Sequence, residues 1–357
     1  MQSQLSALNQ TIMQNPPSYV QHKTLYGSEL LSADGNLGSR LLAPDTMSGV
    51  IIELNAFKAM GMKEVTVAIR YPLLIPTFPN SSRYLAFYEN VSQQIHSRGM
   101  VMDVECAPAI PGYGLNYSFS GLNFSTLVSG EKQMVWILAN YIHPDYINID
   151  SEPATAAQVT GIRYLDTVNG WNDYTYQIFS NLSKGNTKVG IGVDSWESPD
   201  FIKTALNTSN VDFISTHVYP TGAPIPSNLV KIGMLAQQYG KPIVVDEIGP
   251  WKTTNVTEPY DDINKYYEQV DIYGFWAPID SQFFSIMGTY AKEYNVQIMS
   301  VFPGARSLFA YVNYTQSTAN LNYQQATSLI NRQVAIAMAY GQITQAGATY
   351  IQIIKSP

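Results

Sequence analysis

The sequence predicts an α/β fold, a (β/α)8 TIM barrel with an N-terminal extension. Three observations carry that prediction. From residue 64 onward, short runs rich in β-branched residues alternate with helical stretches, which implies a mainly parallel sheet. Seven runs are clear, and a weaker one near residue 25 completes the eight units of a closed barrel. Polar, charged and aromatic residues collect where the runs end, while the runs themselves are apolar. The alternative, an open doubly wound sheet, would place a phosphate-binding glycine loop after an early strand. Its one candidate, Gly190-Ile-Gly192, falls inside a predicted strand, where glycine marks close packing.

Taken in order, residues 1–18 predict an arm or helix that ends at Pro16-Pro17. The weak first strand lies between Val20 and Leu31. Asp45 is placed to cap a helix that reaches Met60 and stops at Gly61. Glu64–Pro72 is a strand, followed by a helix from about Arg83 to Arg98. Met100–Pro108 is the next strand. A loop rich in Gly, Tyr and Asn, Ala109–Asn123, then carries Tyr113 and Tyr117. A helix over Phe124–Tyr141 leads to the strand that ends in Glu152. Helical sequence fills Ala156–Ser183, and Lys188–Trp196 is a strand. A short helix (Pro199–Leu206), a strand (Val211–Pro220) and a helix (Ser227–Tyr239) follow. Ile243-Val-Val245 is a buried strand that runs into Asp246-Glu247 and is closed by Gly249-Pro250. Helical stretches near Tyr260–Tyr273 and Asp280–Tyr294 precede the strand Val296–Phe302. The last predicted helix is Gln324–Tyr340. No repeat or low-complexity linker divides the chain, so residues 1–357 are expected to form one domain.

Composition narrows the function. Hydrophobic residues make up 45%, enough for a large core, whereas charged residues are only 13%, about half the usual share. A net charge of −7 without basic runs argues against nucleic acid and anionic membranes as partners. One cysteine, Cys106, allows no internal disulfide, and it reads as a small buried residue. His22, His96, His143 and His217 show no zinc-ligand spacing, so no metal or other cofactor is expected. No apolar run is long enough to span a membrane. The start, Met1-Gln-Ser-Gln-Leu, lacks the basic and apolar parts of a signal peptide. Nine Asn-x-Ser/Thr sequons (Asn9, Asn80, Asn90, Asn116, Asn123, Asn181, Asn207, Asn255 and Asn313) nevertheless suggest an extracellular or cell-surface glycoprotein.

The chemistry points to two strand ends. Tyr146-Ile-Asn-Ile-Asp-Ser-Glu152-Pro153 and Ile243-Val-Val-Asp-Glu247 are both buried runs that finish in an acid. A charge at the end of a buried strand is costly unless it is paired or used. Two carboxylates at strand ends are what hydrolysis of a glycosidic bond needs. The plain structural alternative for each is a strand-end salt bridge or a helix N-cap partner. The remaining strand ends bring Arg70-Tyr71, Asp103-Val-Glu105-Cys106, Asp194-Ser-Trp196, His217-Val-Tyr219, Trp251 and Phe302.

This pattern resembles glycoside hydrolase clan A, the retaining β-glycanases on (β/α)8 barrels. Ser151-Glu152-Pro153 stands where that clan carries its acid/base glutamate, at the end of the fourth strand. Glu247 stands where it carries the nucleophile, at the end of the seventh. His217-Val218-Tyr219 and Arg70 match further features of the sixth and second strand ends. The resemblance covers residues 60 to 310. It departs from the clan at Ser151, where the usual residue is an Asn that contacts the sugar 2-hydroxyl. It departs again after the eighth strand, where Phe302 or Trp276 would replace a Trp.

The resemblance implies a retaining β-glycoside hydrolase acting on an oligo- or polysaccharide such as a β-glucan, galactan or mannan. Glu247 would be the nucleophile, kept ionised by Arg70 and hydrogen-bonded by Tyr219. Arg70 paired with Asp103 or Glu105 is the competing arrangement. Glu152 would give a proton to the leaving group and then take one from water. Arg70, Tyr71, Glu105, Trp196, His217, Tyr219 and Trp251 would bind substrate, with the indoles as stacking faces for sugar rings. His217 would bind a hydroxyl or orient a carboxylate. Asp246 is expected to point away from Glu247 and serve structure. A carbohydrate-binding barrel without catalysis and a cell-envelope glycoprotein are the competing functions.

Overall fold

The computed structural model describes residues 1–14, 23–111, 114–115, 117–220, 225–252, 269–303 and 306–356. Its strands are β1 (Leu25–Glu29), β2 (Glu64–Ala68), β3 (Val101–Glu105), β4 (Tyr146–Asn148), β5 (Lys188–Gly192), β6 (Ile214–Val218), β7 (Ile243–Ile248) and β8 (Val296–Val301). They close into a barrel in chain order, and β8 pairs parallel with β1. The weak first strand is therefore real. Parallel neighbours need long crossovers, and helices supply them.

Those helices are α1 (Gln2–Gln14), α2 (Thr46–Met60), α3 (Ser81–His96), α4 (Phe124–Ile137), α5 (Pro153–Thr160), α6 (Val168–Phe179), α7 (Lys203–Asn207), α8 (Ile225–Gln238), α9 (Ala277–Glu293), α10 (Arg306–Phe309), α11 (Tyr323–Ala339) and α12 (Gln345–Lys355). α2 stops at Gly61, whose φ of 91° suits a residue without a side chain. Asp45 sits at the N-cap position of α2, but its side chain makes no capping bond. α1 buries Leu5, Leu8 and Ile12, a helical stripe that packs on α8 and α9, so the N-terminal segment is a docked helix. The expected end of that segment at Pro16-Pro17 lies outside the described residues, as do Tyr113 and most of the stretch near Tyr260–Tyr273.

α12 is an element that the sequence reading lacks. Tyr350 on α12 donates its hydroxyl to the carbonyls of Gly27 (2.9 Å) and Met299 (3.0 Å), in β1 and β8. That position makes α12 the eighth barrel helix. α10 and α11 are then an excursion between β8 and α12. It returns where it left: Thr344 gives its amide to Leu308 O at 3.0 Å and its hydroxyl to Ser307 O at 2.6 Å.

Two local features shape the barrel under the site. A Cβ on Gly192 would lie 1.7 Å from Ser215 O, so the glycine in β5 lets β6 approach, the packing role expected of Gly190-Ile-Gly192. The second feature is in β7. Against β6, Val244 pairs with Ser215 and Glu247 with His217. Against β8, Val245 pairs with Met299 and Ile248 with Val301. On both edges β7 carries one residue too many, a β-bulge at Asp246-Glu247 that bends the strand and re-aims its side chains.

The barrel interior is partly polar. Thr66 donates to Glu64 Oε1 at 2.8 Å, and Ser215 to Asn148 Oδ1 at 2.7 Å. Ser151 accepts from Asn148 Nδ2 at 3.0 Å and lies 2.6 Å from the Ser215 hydroxyl. Ser151 is therefore a buried tie inside the barrel, turned away from where a sugar would lie.

Candidate active site

A cavity of about 840 Å³ opens at the C-terminal ends of the strands, where barrels of this kind place their chemistry. Glu152 and Glu247 both line it. Glu152 follows β4, just ahead of Pro153 at the start of α5, and its backbone N–H is held by Asp150 Oδ1 at 2.8 Å. Glu247 sits in the β7 bulge. One oxygen of Glu152, one oxygen of Glu247 and a ring nitrogen of His217 all lie within 4.8 Å of one another.

His217 is the hub of the site. Its Nδ1 is 3.0 Å from Glu152 Oε1, 3.5 Å from Glu247 Oε2 and 3.5 Å from Asp194 Oδ1. Its Nε2 is 3.4 Å from Glu105 Oε1 and 3.5 Å from Asp246 Oδ1. Burial alone would lower the imidazole pKa, but Glu247 and Asp246 outweigh burial and hold it well above the usual value. The ring is 1% exposed and does not border the cavity. The surrounding carboxyls favour its protonated form, and its contacts beneath the two glutamates fit the carboxylate-orienting alternative and not a place among the substrate-binding residues. The oxygens of Glu105 and Asp246 also meet at His217, so two three-residue sets have metal-ligand spacing. Both sets share this imidazole, so a metal at either would have to displace its proton.

The close partner of Arg70 is Glu105, with Glu247 acting on it from farther off. Its guanidinium pairs with Glu105 Oε2 at 2.7 Å. Burial would raise the Glu105 carboxyl, but Arg70 and His217 hold it down at about 2. Glu247, by contrast, is pushed up to about 8. Burial is the main cause, and Glu105 and Glu152 add to it. The charge of His217 and the hydroxyl of Tyr219 pull the other way. Arg70, with Glu105 as its close partner, reaches Glu247 only through space. His217 and Tyr219 favour the ionised form of Glu247, but burial outweighs them and keeps its proton on up to about pH 8.

Tyr219 donates a short hydrogen bond to Glu247 Oε2. Its ring is clamped between two indoles, stacked 5.4 Å from Trp196 and 4.4 Å from Trp251. Phe302 meets it edge-on at 6.0 Å. Each expected sugar platform therefore spends one face on positioning Tyr219, while both indoles still border the cavity. Phe302 also lines the cavity. Trp276 does not: it donates to Val270 O at 2.9 Å and lies against Lys252.

Other expected residues fall elsewhere. Tyr71 turns outward and stacks on Phe119 at 6.1 Å, away from the cavity, because its backbone is held by a bridge to Pro108. Asp103 is fully buried in the barrel below the site, and burial, Asp246 and Glu64 raise its pKa well above normal. Cys106 is buried and donates to Glu131 Oε2 at 3.5 Å. Asp246 does not point away from Glu247. The bulge turns both carboxyls to His217, and Asn148 donates to Asp246 Oδ2.

Three acids that border the cavity are absent from the sequence reading: Glu29, Asp34 and Glu53 on α2. Glu29, at the end of β1, is 1% exposed, and neither of its oxygens has a hydrogen-bond partner among the described residues. Burial, then Asp34 and Glu247, raise its pKa well above normal. Asp34, in the turn after β1, accepts from the Asn36 amide at 2.9 Å. The sequence signal for Glu29 was its place at the end of a strand too weak to read with confidence from Leu-Tyr-Gly-Ser.

No family model matches this sequence, and no curated protein matches it. Solved structures share its fold. A GH5_18 protein from Streptomyces cattleya in complex with GlcNAc superposes with a TM-score of 0.58 at 12% identity, covering 95% of this chain and 82% of that one. A GH5 xyloglucan-specific β-1,4-glucanase from a ruminal metagenomic library gives 0.56 at 12% identity and covers 93% of both chains. An exo-β-1,4-mannosidase from Opitutaceae bacterium strain TAV5 gives 0.56 at 10% identity, covering 96% of this chain and 62% of that one. At these identities the likeness is one of fold, a closed (β/α)8 barrel.

Proposed function

We propose that this protein is a retaining β-glycoside hydrolase acting on an oligo- or polysaccharide, with Glu247 as nucleophile and Glu152 as acid/base. One observation carries the reading: an oxygen of Glu152 and an oxygen of Glu247 lie within 4.8 Å, on the wall of one cavity, from strand ends β4 and β7. Retaining glycosidases hold their carboxyls roughly 5–5.5 Å apart, whereas inverting ones need about 6.5–9.5 Å to admit a water. The fold-sharing structures add support, because their names describe a mannosidase and a xyloglucan-specific glucanase. A β-linked glucan or mannan is accordingly the first substrate to try.

The steps follow from the geometry. Ionised Glu247, steadied by imidazolium His217 and the Tyr219 hydroxyl, attacks the anomeric carbon as the bond to the leaving oxygen breaks. Glu152 gives its proton to that oxygen. The covalent glycosyl–Glu247 ester removes a negative charge beside Glu152, which then takes a proton from water. The water attacks the anomeric carbon, the ester breaks, and the β configuration is restored. Arg70 and Glu105, fixed to each other at the cavity wall, are placed to meet sugar hydroxyls.

We also assign the protein to the extracellular or cell-surface space. The seven sequon asparagines among the described residues (Asn9, Asn80, Asn90, Asn123, Asn181, Asn207 and Asn313) are all exposed, as glycosylation requires. No helix among the described residues is long and apolar enough to cross a membrane.

A panel of aryl β-glucosides, mannosides, galactosides and their biosides tests the activity. Release of the aryl alcohol by wild type and its loss in folded Glu247→Ala supports the assignment. Undiminished release by Glu247→Ala removes Glu247 from the chemistry, and no release from any substrate favours a binding protein.

A further inference from the structure

The cavity is larger than one sugar ring and has a second arm. α11 gives it one face, Tyr323, Thr327, Asn331, Val334 and Met338, spaced at helical intervals of four, four, three and four residues. α2 faces that row with Ile52 and packs against α11. The wall is built in advance, since Glu53 on α2 is tied to the turn after β1 by the Ser32 amide (3.1 Å) and hydroxyl (2.6 Å). α11 belongs to the excursion between β8 and α12, so this arm is an addition to the eight-unit frame.

The position of the arm fixes which part of a substrate it meets. β7, β8 and β1 are consecutive neighbours around the barrel, and α2 follows β1 while α11 follows β8. The arm therefore lies past Glu247, on the side away from Glu152 and β4. In the reading above Glu152 protonates the leaving oxygen, so the leaving group departs on the Glu152 side. What occupies the arm must be attached to the glycon, on the non-reducing side of the bond that breaks. The face is mixed: a phenol, a hydroxyl and an amide, then aliphatic groups. Sugar rings suit such a wall, with hydroxyl edges for the polar groups and C–H faces for the aliphatic ones.

We infer that the arm between α2 and the inserted helix α11 binds sugar residues on the non-reducing side of the cleaved bond, so that the substrate is a chain engaged over at least two units ahead of the cut. The inference rests on the glycosidase reading for its direction. Binding energy from a remote sugar is used to raise the rate at the reacting centre.

The test compares aryl β-monosides with aryl β-biosides and triosides of the same sugar. The bioside is expected to exceed the monoside in kcat/KM by roughly 100-fold. Tyr323→Ala and Asn331→Ala, each checked for an unchanged circular dichroism spectrum, should each cut that ratio at least to about a tenth. Equal kcat/KM for monoside and bioside overturns the inference and leaves the glycosidase reading intact. So does a monoside carrying a hexyl ether that outperforms the bioside, because an apolar group would then be the occupant. If no glycoside is cleaved, calorimetric titration with the free oligosaccharides decides. Binding that strengthens with chain length and weakens in Tyr323→Ala upholds the arm without the chemistry, and binding indifferent to both overturns it.

Discussion

Asp246 and Glu247 are consecutive residues, yet both carboxylates reach one imidazole. Asp246 Oδ1 lies 3.5 Å from His217 Nε2, and Glu247 Oε2 lies 3.5 Å from His217 Nδ1. In a regular strand their side chains would leave opposite faces of the sheet. The bulge in β7 brings them together. The cost is a crowd of buried acids around one buried histidine, and the protonation of that crowd governs the site.

Removing the cation should therefore disturb more than packing. His217→Asn is expected to lower kcat/KM by roughly 100-fold or more. Glu247 loses the charge that pulls its pKa down, so the acidic limb of the pH–rate profile should move to higher pH. A folded variant with an unmoved limb would reduce His217 to a packing residue.

Tyr219→Phe keeps the ring between Trp196 and Trp251 and deletes the hydroxyl that bonds Glu247. A fall in kcat of roughly 10-fold or more is expected, with KM little changed. The lost bond also favoured the ionised carboxylate, so the limb should again shift upward. A change in KM alone would place the hydroxyl on the substrate.

Stability should fall as pH rises. Glu64, Asp150 and Glu247 are each pushed up to about 8 by burial, far above the ordinary carboxylate range. Between about pH 4 and pH 8 the native state keeps protons that the unfolded chain has released, so unfolding becomes easier as pH increases. His217, raised above 6.5, acts in the same direction, since its contribution is lost as pH climbs through its folded value. Glu105, held at about 2, opposes this only below about pH 4.5, where the unfolded carboxylate begins to take up protons. Thermal melts from pH 4.5 to 8.5 should show a steadily falling Tm. A rising Tm over that range would contradict the buried-acid assignment.

Glu29 offers a separation of stability from function. A buried acid without partners is expensive to keep. Glu29→Gln should leave Tm unchanged or higher while raising KM for glycosides by roughly 10-fold or more, through loss of the carboxyl's hydrogen bonds to sugar at the cavity wall. Lower Tm with unchanged kinetics would make Glu29 a structural group.

The legible parts of this molecule were those with local signals. Apolar runs marked seven of the eight strands clearly and the first only weakly, and Glu152 and Glu247 stood out because each follows such a run. What stayed hidden depended on geometry between strands. The extra residue in β7 is visible only from its pairing with β6 and β8, so Asp246 was expected on the wrong side. Arg70 had two acidic candidates of the same strand parity, and only the coordinates choose Glu105. Tyr71 is at a strand end but faces outward. α12 follows α11 so closely, across Gly341 and Thr344, that its cap signal was lost in the end of the preceding helix.

The central claim is a double displacement through Glu247 assisted by Glu152, and one measurement tests it most directly. Glu152→Ala is given a dinitrophenyl β-glycoside, whose leaving group needs no proton, and then azide, a small nucleophile that needs no general base. The account predicts that a glycosyl–Glu247 intermediate accumulates, and that azide restores turnover and yields a β-glycosyl azide, since two inversions amount to retention. The anomer is read from the proton NMR coupling of the product. An α-azide would mean a single displacement and an inverting enzyme. The absence of both rescue and intermediate would leave Glu152 as an ordinary strand-end carboxylate.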